Sequence, residues 1–164
     1  MIFKKIKENR GFVLLFAVTL AAIFLSIALG VGQIALKENN FSTSAIDTND
    51  AFFAADTGVE CALFYDNPNG DNPYGSVVAF VDGNNPQITC NNSTVTANEA
   101  GSGSLVWNFI ISGLGSTGNG CVAVKVDKKT NSPHTTVSAS GYNIGGSSCL
   151  GPAGSVAREL TTTY

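Results

Sequence analysis

A single histidine, His134, stands in the whole chain, and it follows Pro133 in a segment that reads as a hairpin turn. A general base has to face a nucleophile, and nothing in the sequence supplies such a pair, so the chain is not expected to be an enzyme. Charge is equally scarce, at 13% of positions with a net charge of −3. Much of the positive part, Lys4, Lys5, Lys7 and Arg10, is crowded into the first ten residues. No basic stripe remains to neutralise phosphates, which excludes nucleic acid as an expected partner. The cysteines form no C-x-x-C and no Cys/His pair, so zinc and thioredoxin-like chemistry lack their ligands. No Gly-rich stretch has the strand-loop-helix setting and the lysine of a phosphate-binding loop. No cofactor or metal is expected.

The chain does have one long apolar run. The 25 residues from Phe12 to Leu36 carry no charge. As a helix they would extend about 37 Å, more than the roughly 30 Å hydrocarbon core of a bilayer. Four cations against one anion, Glu8, on the N-terminal side favour keeping that end cytoplasmic and sending the residues after Leu36 across the membrane. Three readings compete. The segment is a permanent single-pass anchor, or a secretory signal peptide cut at the small-x-small triplet Ala28-Leu29-Gly30, or an anchor freed by cutting at Gly11, between leader and apolar run. Within the run, Ala22, Ser26 and Gly30 recur every four residues as a small-residue stripe on which neighbouring helices can approach closely.

The short basic leader, Gly11, Phe12 and the long apolar helix resemble the class III signal of type IV prepilins and type II secretion pseudopilins. The resemblance implies cleavage after Gly11 by a prepilin peptidase and methylation of the new N-terminal Phe12. Most major pilins carry Glu at the fifth position after the cut, where its carboxylate meets a neighbour's N-terminal ammonium; this chain has Phe16. Absence of that Glu is shared with a subset of minor pilins, including the PilX type. The stretch Ala51-Phe52-Phe53-Ala54-Ala55-Asp56-Thr57-Gly58-Val59-Glu60 also resembles an Ala-Phe-x-Ala-Ala-Glu stretch of PilX-type proteins. Together these matches cover about the first 65 residues. They imply as partners other pilin subunits, the prepilin peptidase, the pilus assembly machinery and, before assembly, membrane lipid.

Beyond Leu36 the positions Phe41, Ala45, Thr48, Phe52, Ala55, Val59 and Ala62/Leu63 step by four and three, the stripe of a helix with one buried face. The pattern stops at Asp66-Asn67-Pro68-Asn69-Gly70, where Pro and Gly end helices. After Asn72 the composition turns to Gly, Ser, Thr, Asn and β-branched residues with regular turn signals. Candidate strands are Ser76–Val81, Gln87–Cys90, Leu105–Ile111, Cys121–Asp127, Thr135–Tyr142 and Ser155–Tyr164. The expected fold class is α+β: a long N-terminal helix packed on a small antiparallel sheet, pilin-like in outline. Residues 1–11 form the leader, 12–66 the helix with 12–36 as its membrane half, and 67–164 the β-rich head.

Cys61, Cys90, Cys121 and Cys149 all come after the membrane segment, and an even count in a small exported domain reads as two disulfides. Of three possible connectivities, hairpin geometry prefers one. Cys121 opens a strand whose partner, Thr135–Tyr142, returns through a turn near Asn131 and brings a residue close to Gly141 opposite it. Cys149 comes after the flexible Gly145-Gly146-Ser147-Ser148 and can fold back to the roughly 5.5–6 Å Cα separation required. Cys61, on the exposed half of the stem near its end, is left to meet Cys90 and so to tie the helix to the first strands of the head.

Weaker candidates have plainer explanations. Asp56 and Glu60, four apart, could pair as catalytic carboxylates but read as solvated helix surface. Asn67, Asn69 and Asp71 alternate like calcium ligands, yet Asn72 replaces the required Gly and no closing acid comes after it. Lys125, Lys128 and Lys129 read as a solvated turn, and Trp107 with Phe109 as core and not as a sugar platform. Two function classes remain: a filament subunit whose helix waits in the cytoplasmic membrane with its head outside before assembly at the cell surface, and a membrane-anchored or secreted binding or adhesion domain.

Overall fold

The computed structural model of the chain describes residues 10–67, 78–128 and 135–164. The leader residues Lys4, Lys5 and Lys7 lie outside them, as do Asn69, Asp71, Lys129, the Asn131 turn, Pro133 and His134. Helix α1 runs from Arg10 to Asp66. Between Arg10 and Asp66 the sequence has no proline, and Pro68 forbids continuation two residues past the end. Contacts divide the chain into two units, Met1–Thr43 and Ser44–Tyr164, so the division falls inside α1.

The second unit holds seven strands among its described residues: β1 (Gln87–Cys90), β2 (Ser93–Thr96), β3 (Asn98–Glu99), β4 (Val106–Leu114), β5 (Gly120–Asp127), β6 (Thr136–Tyr142) and β7 (Ala157–Thr163). β1 and β2 form a hairpin of their own, and β3 to β7 form an antiparallel meander in chain order. The fold is α+β, consistent with a pilin-like outline. Period-two burial explains the sheet's inner face: Trp107, Phe109 and Ile111 of β4 lie opposite Val126, Val124 and Val122 of β5, and Val137 and Ala139 of β6 extend the row.

Several expectations are corrected. Helix residues Ala51, Ala54, Ala55, Gly58, Cys61, Ala62 and Tyr65 are buried, whereas Phe41 is 77% and Phe52 43% exposed. The buried line is rotated from the expected stripe because the sheet already supplies the bulk. A Cβ on Gly141 of β6 would sit 2.2 Å from the Ala51 carbonyl oxygen, and one on Gly58 would sit 2.7 Å from a Val122 methyl. Only small residues fit at that approach. Cys61, near the end of the stem, belongs to this same buried line.

The described part of the expected Ser76–Val81 strand, residues 78–81, is irregular. Ala79 donates to the Tyr65 carbonyl, and Phe80 is buried against Trp107 and Phe109, with ring centroids 5.8 and 6.3 Å away. Its apolar character therefore serves a core-filling loop. β2 and β3 add to the expected strands; Asn91 and Asn92, both at positive φ (48° and 58°), form the two-residue turn that folds β2 back on β1. β4 continues past Ile111 through a bulge at Gly113, whose φ of 79° suits glycine.

Candidate functional site: the apolar helix and its anchorage

Every residue from Phe12 to Ile46 is exposed. Phe12 is 74%, Phe16 56%, Phe24 68% and Leu29 61% exposed, so the first half of α1 carries apolar side chains around its whole circumference. The helix is long and apolar enough to cross a membrane. Such a surface needs lipid or other apolar chains to cover it, because soluble proteins rarely leave contiguous apolar patches of this kind in water. Ala22, Ser26 and Gly30 line up at four-residue intervals on this helix, and all three are exposed. The Ser26 hydroxyl donates to the Ile23 carbonyl at 2.8 Å. A Cβ added at Gly30 or Gly32 would meet nothing within 4 Å. Gly11 lies in the first turn of α1 with Phe12 directly after it.

The second half is tied to the sheet at several points. Cys61 on the helix is joined to Cys90 at the end of β1, with Cα atoms 6.2 Å apart. Cys121 is joined to Cys149 across 5.6 Å. Tyr142 stands opposite Cys121, next to Gly141 as the hairpin argument expects. Near the middle, Asp50 accepts from the Ser116 amide at 3.2 Å and from its hydroxyl at 2.7 Å. At the helix end the Tyr65 hydroxyl accepts from the Thr89 amide at 2.8 Å.

A further tie has no local sequence signal. Asp66, 4% exposed, pairs with Lys128 and accepts a 2.6 Å hydrogen bond from the Tyr164 hydroxyl. Burial, and after it the hydrogen bond and the charge of Asp66, push the Tyr164 phenol far above its ordinary range. Lys128 is thus a structural partner and not part of a solvated turn. In the sequence Asp66 reads only as the residue before a helix stop. Its two partners lie 62 and 98 positions away, a separation that no local pattern encodes.

Among the other candidates, Asp56 is partly exposed and Glu60 exposed. Lys125 pairs with Asp127 at 3.5 Å. Trp107 is fully buried and donates from its indole nitrogen to the Asn84 carbonyl at 2.8 Å, and Phe109 is 4% exposed, so both belong to the core. No family model matches the chain, and neither does any curated protein or solved structure.

Proposed function

We propose that the chain is a structural subunit of a type IV pilus or related filament, trimmed after Gly11 by a prepilin peptidase and assembled through its apolar helix. One observation carries the reading: the run from Phe12 to Leu36, charge-free, helical and exposed around its circumference, comes directly after a basic leader that ends in Gly11. Before assembly the helix rests in lipid in the cytoplasmic membrane with the sheet domain outside. Removing the leader takes away the charges that hold it there, and other subunits' helices then replace lipid along the Ala22, Ser26 and Gly30 line. Phe16 supports a minor or tip position. Without a carboxylate there, a neighbour's N-terminal ammonium stays unpaired in an apolar filament core, a cost that a homopolymer would repeat at every subunit.

The residue that begins the mature protein tests the proposal. Intact mass and N-terminal sequencing should give a methylated Phe12, and Gly11→Leu should leave the leader attached. A mature chain starting at Met1 would mean a plain anchor, and one starting at Val31 a signal peptide; either favours a binding or adhesion domain. Maturation of the Gly11→Leu chain to wild-type size would remove the main support for the filament reading.

A further inference from the structure

The second unit contains a cleft of about 340 Å³ between one turn of the helix and the ends of the two sheets. We propose that it binds a neutral sugar, of the hexose or N-acetylhexosamine class. Two independent ties hold its lining. Asn91 sits in the tight β1–β2 turn, and the residue before it, Cys90, is fastened to the helix through Cys61. Gly113 at the β4 bulge and Gly115 just past the strand are both at φ 79°, and Asp50 fixes the following Ser116 from the helix side. Phe53 and Thr57, one turn apart on α1, close the third side. A site held by rigid elements loses little entropy when a ligand arrives.

The groups presented define the ligand. Phe53 is 60% exposed, and its ring is held edge-on by Phe52 at 5.8 Å, leaving an aromatic surface for C–H groups. The Thr57 hydroxyl gives its proton to the Phe53 carbonyl at 2.8 Å and so faces a ligand as an acceptor. The Asn91 amide reaches the Gly113 carbonyl at only 3.5 Å, the limit of a hydrogen bond, and offers both donors and an acceptor. Among the described residues, no charged side chain lines the cleft. An anion would find no cation there, a metal would find no free carboxylate, and an apolar ligand would cover the polar groups of Asn91 and Thr57 without bonding them. One aromatic face beside neutral donors and acceptors suits a ring that is apolar on one side and hydroxylated at its edge. The volume is at the lower end for small-molecule sites, enough for a short ligand.

Sugar binding of this kind is independent of filament assembly and is tested on the full chain in a zwitterionic detergent, which has no sugar headgroup to compete. Galactose and N-acetylglucosamine are titrated while the Asn91 side-chain amide is followed by NMR, with N-acetylneuraminic acid and inorganic phosphate as anionic controls. A neutral sugar should shift the amide with an affinity on the order of 1 mM. Asn91→Ala and Phe53→Leu should each weaken it about tenfold, with Asn91→Ala followed through the backbone amides of Gly113 and Gly115 in the same lining. Thr57→Val, of similar volume, supplies a second variant, and buried Trp107 fluorescence reports that each variant is folded. No shift with either neutral sugar overturns the proposal. So does undiminished binding by the folded variants, or tighter binding of an anionic control.

Discussion

One helix meets two different requirements along its length. From Phe12 to Ile46 its side chains are exposed, as far as Leu36 many of them are large and apolar, and glycine at positions 30 and 32 faces open space. From Ala51 to Tyr65 the buried residues are mostly Ala, with Gly58 pressed against Val122 and Val124. Bulk outside and smallness inside is the reverse of an ordinary amphipathic helix. The difference teaches where each half finds its partner. The second half finds it within the chain, where the sheet brings Trp107, Phe109 and valines; the first half carries its own bulk to surroundings the chain does not supply.

Gly141→Ala attacks that arrangement most directly. The added methyl would collide with the backbone at Ala51 and Ala55, where a rotamer change gives no relief. The expected loss is about 3 kcal/mol or more, at the upper end for overpacking and a large share of a small domain's stability. Urea unfolding followed through the near-ultraviolet signal of Trp107 should show a much lower midpoint at unchanged slope. An unchanged midpoint would mean that helix and sheet are not in this close contact.

Lys128→Met tests the tie at the helix end. It leaves the Asp66 carboxylate buried with Tyr164 alone, and removing one member of a buried pair costs roughly 3–5 kcal/mol. Because Lys128 is 19% exposed, the lower end, about 3 kcal/mol, is expected. The same cluster sets an alkaline limit. The folded-state pKa of Tyr164 is raised above its unfolded value of about 10, so its contribution is complete below that pH and is lost as pH climbs beyond it. Ultraviolet titration should show a late-ionising phenol that Tyr164→Phe removes. A titration curve whose late end is the same with and without Tyr164 would mean that the bond to Asp66 is not made.

How much of this was legible in the sequence depends on the range of the cause. The apolar run, the α+β class and the strands β1, β4, β5, β6 and β7 stem from composition and local patterning, which act over a few residues. The helix face does not, because Phe41 and Phe52 dominate any hydrophobicity count while the true buried line, Ala51, Ala54, Ala55 and Ala62, is marked by size. Only knowing that Gly141 and Val122 lie opposite makes smallness informative. β2 is harder to see because Asn91-Asn92 is a weaker hairpin signal than Asn-Gly, although both residues tolerate positive φ better than most. For the cleft, Phe53, Asn91 and Gly113 come from three segments brought together by the Cys61–Cys90 disulfide and the Asp50–Ser116 contact, so no spacing could announce it.

The finest test makes the same substitution in both halves of the helix. Replacing glycine by alanine favours a helix by about 1 kcal/mol when nothing else changes. At Gly30, where the new Cβ meets nothing within 4 Å, that gain should appear in full as slower amide exchange around residue 30 in the detergent-solubilised chain. At Gly58 the methyl would lie 2.7 and 2.8 Å from methyls of Val122 and Val124, both buried and with little room to turn. Overpacking of about 1–3 kcal/mol then opposes the propensity gain, and a net loss of roughly 1 kcal/mol is expected. Opposite signs from one chemical change would place the boundary between the two environments on the helix itself. Equal gains at both positions would show that the sheet does not press on Gly58, and the contrast between the halves would then rest on side-chain size alone.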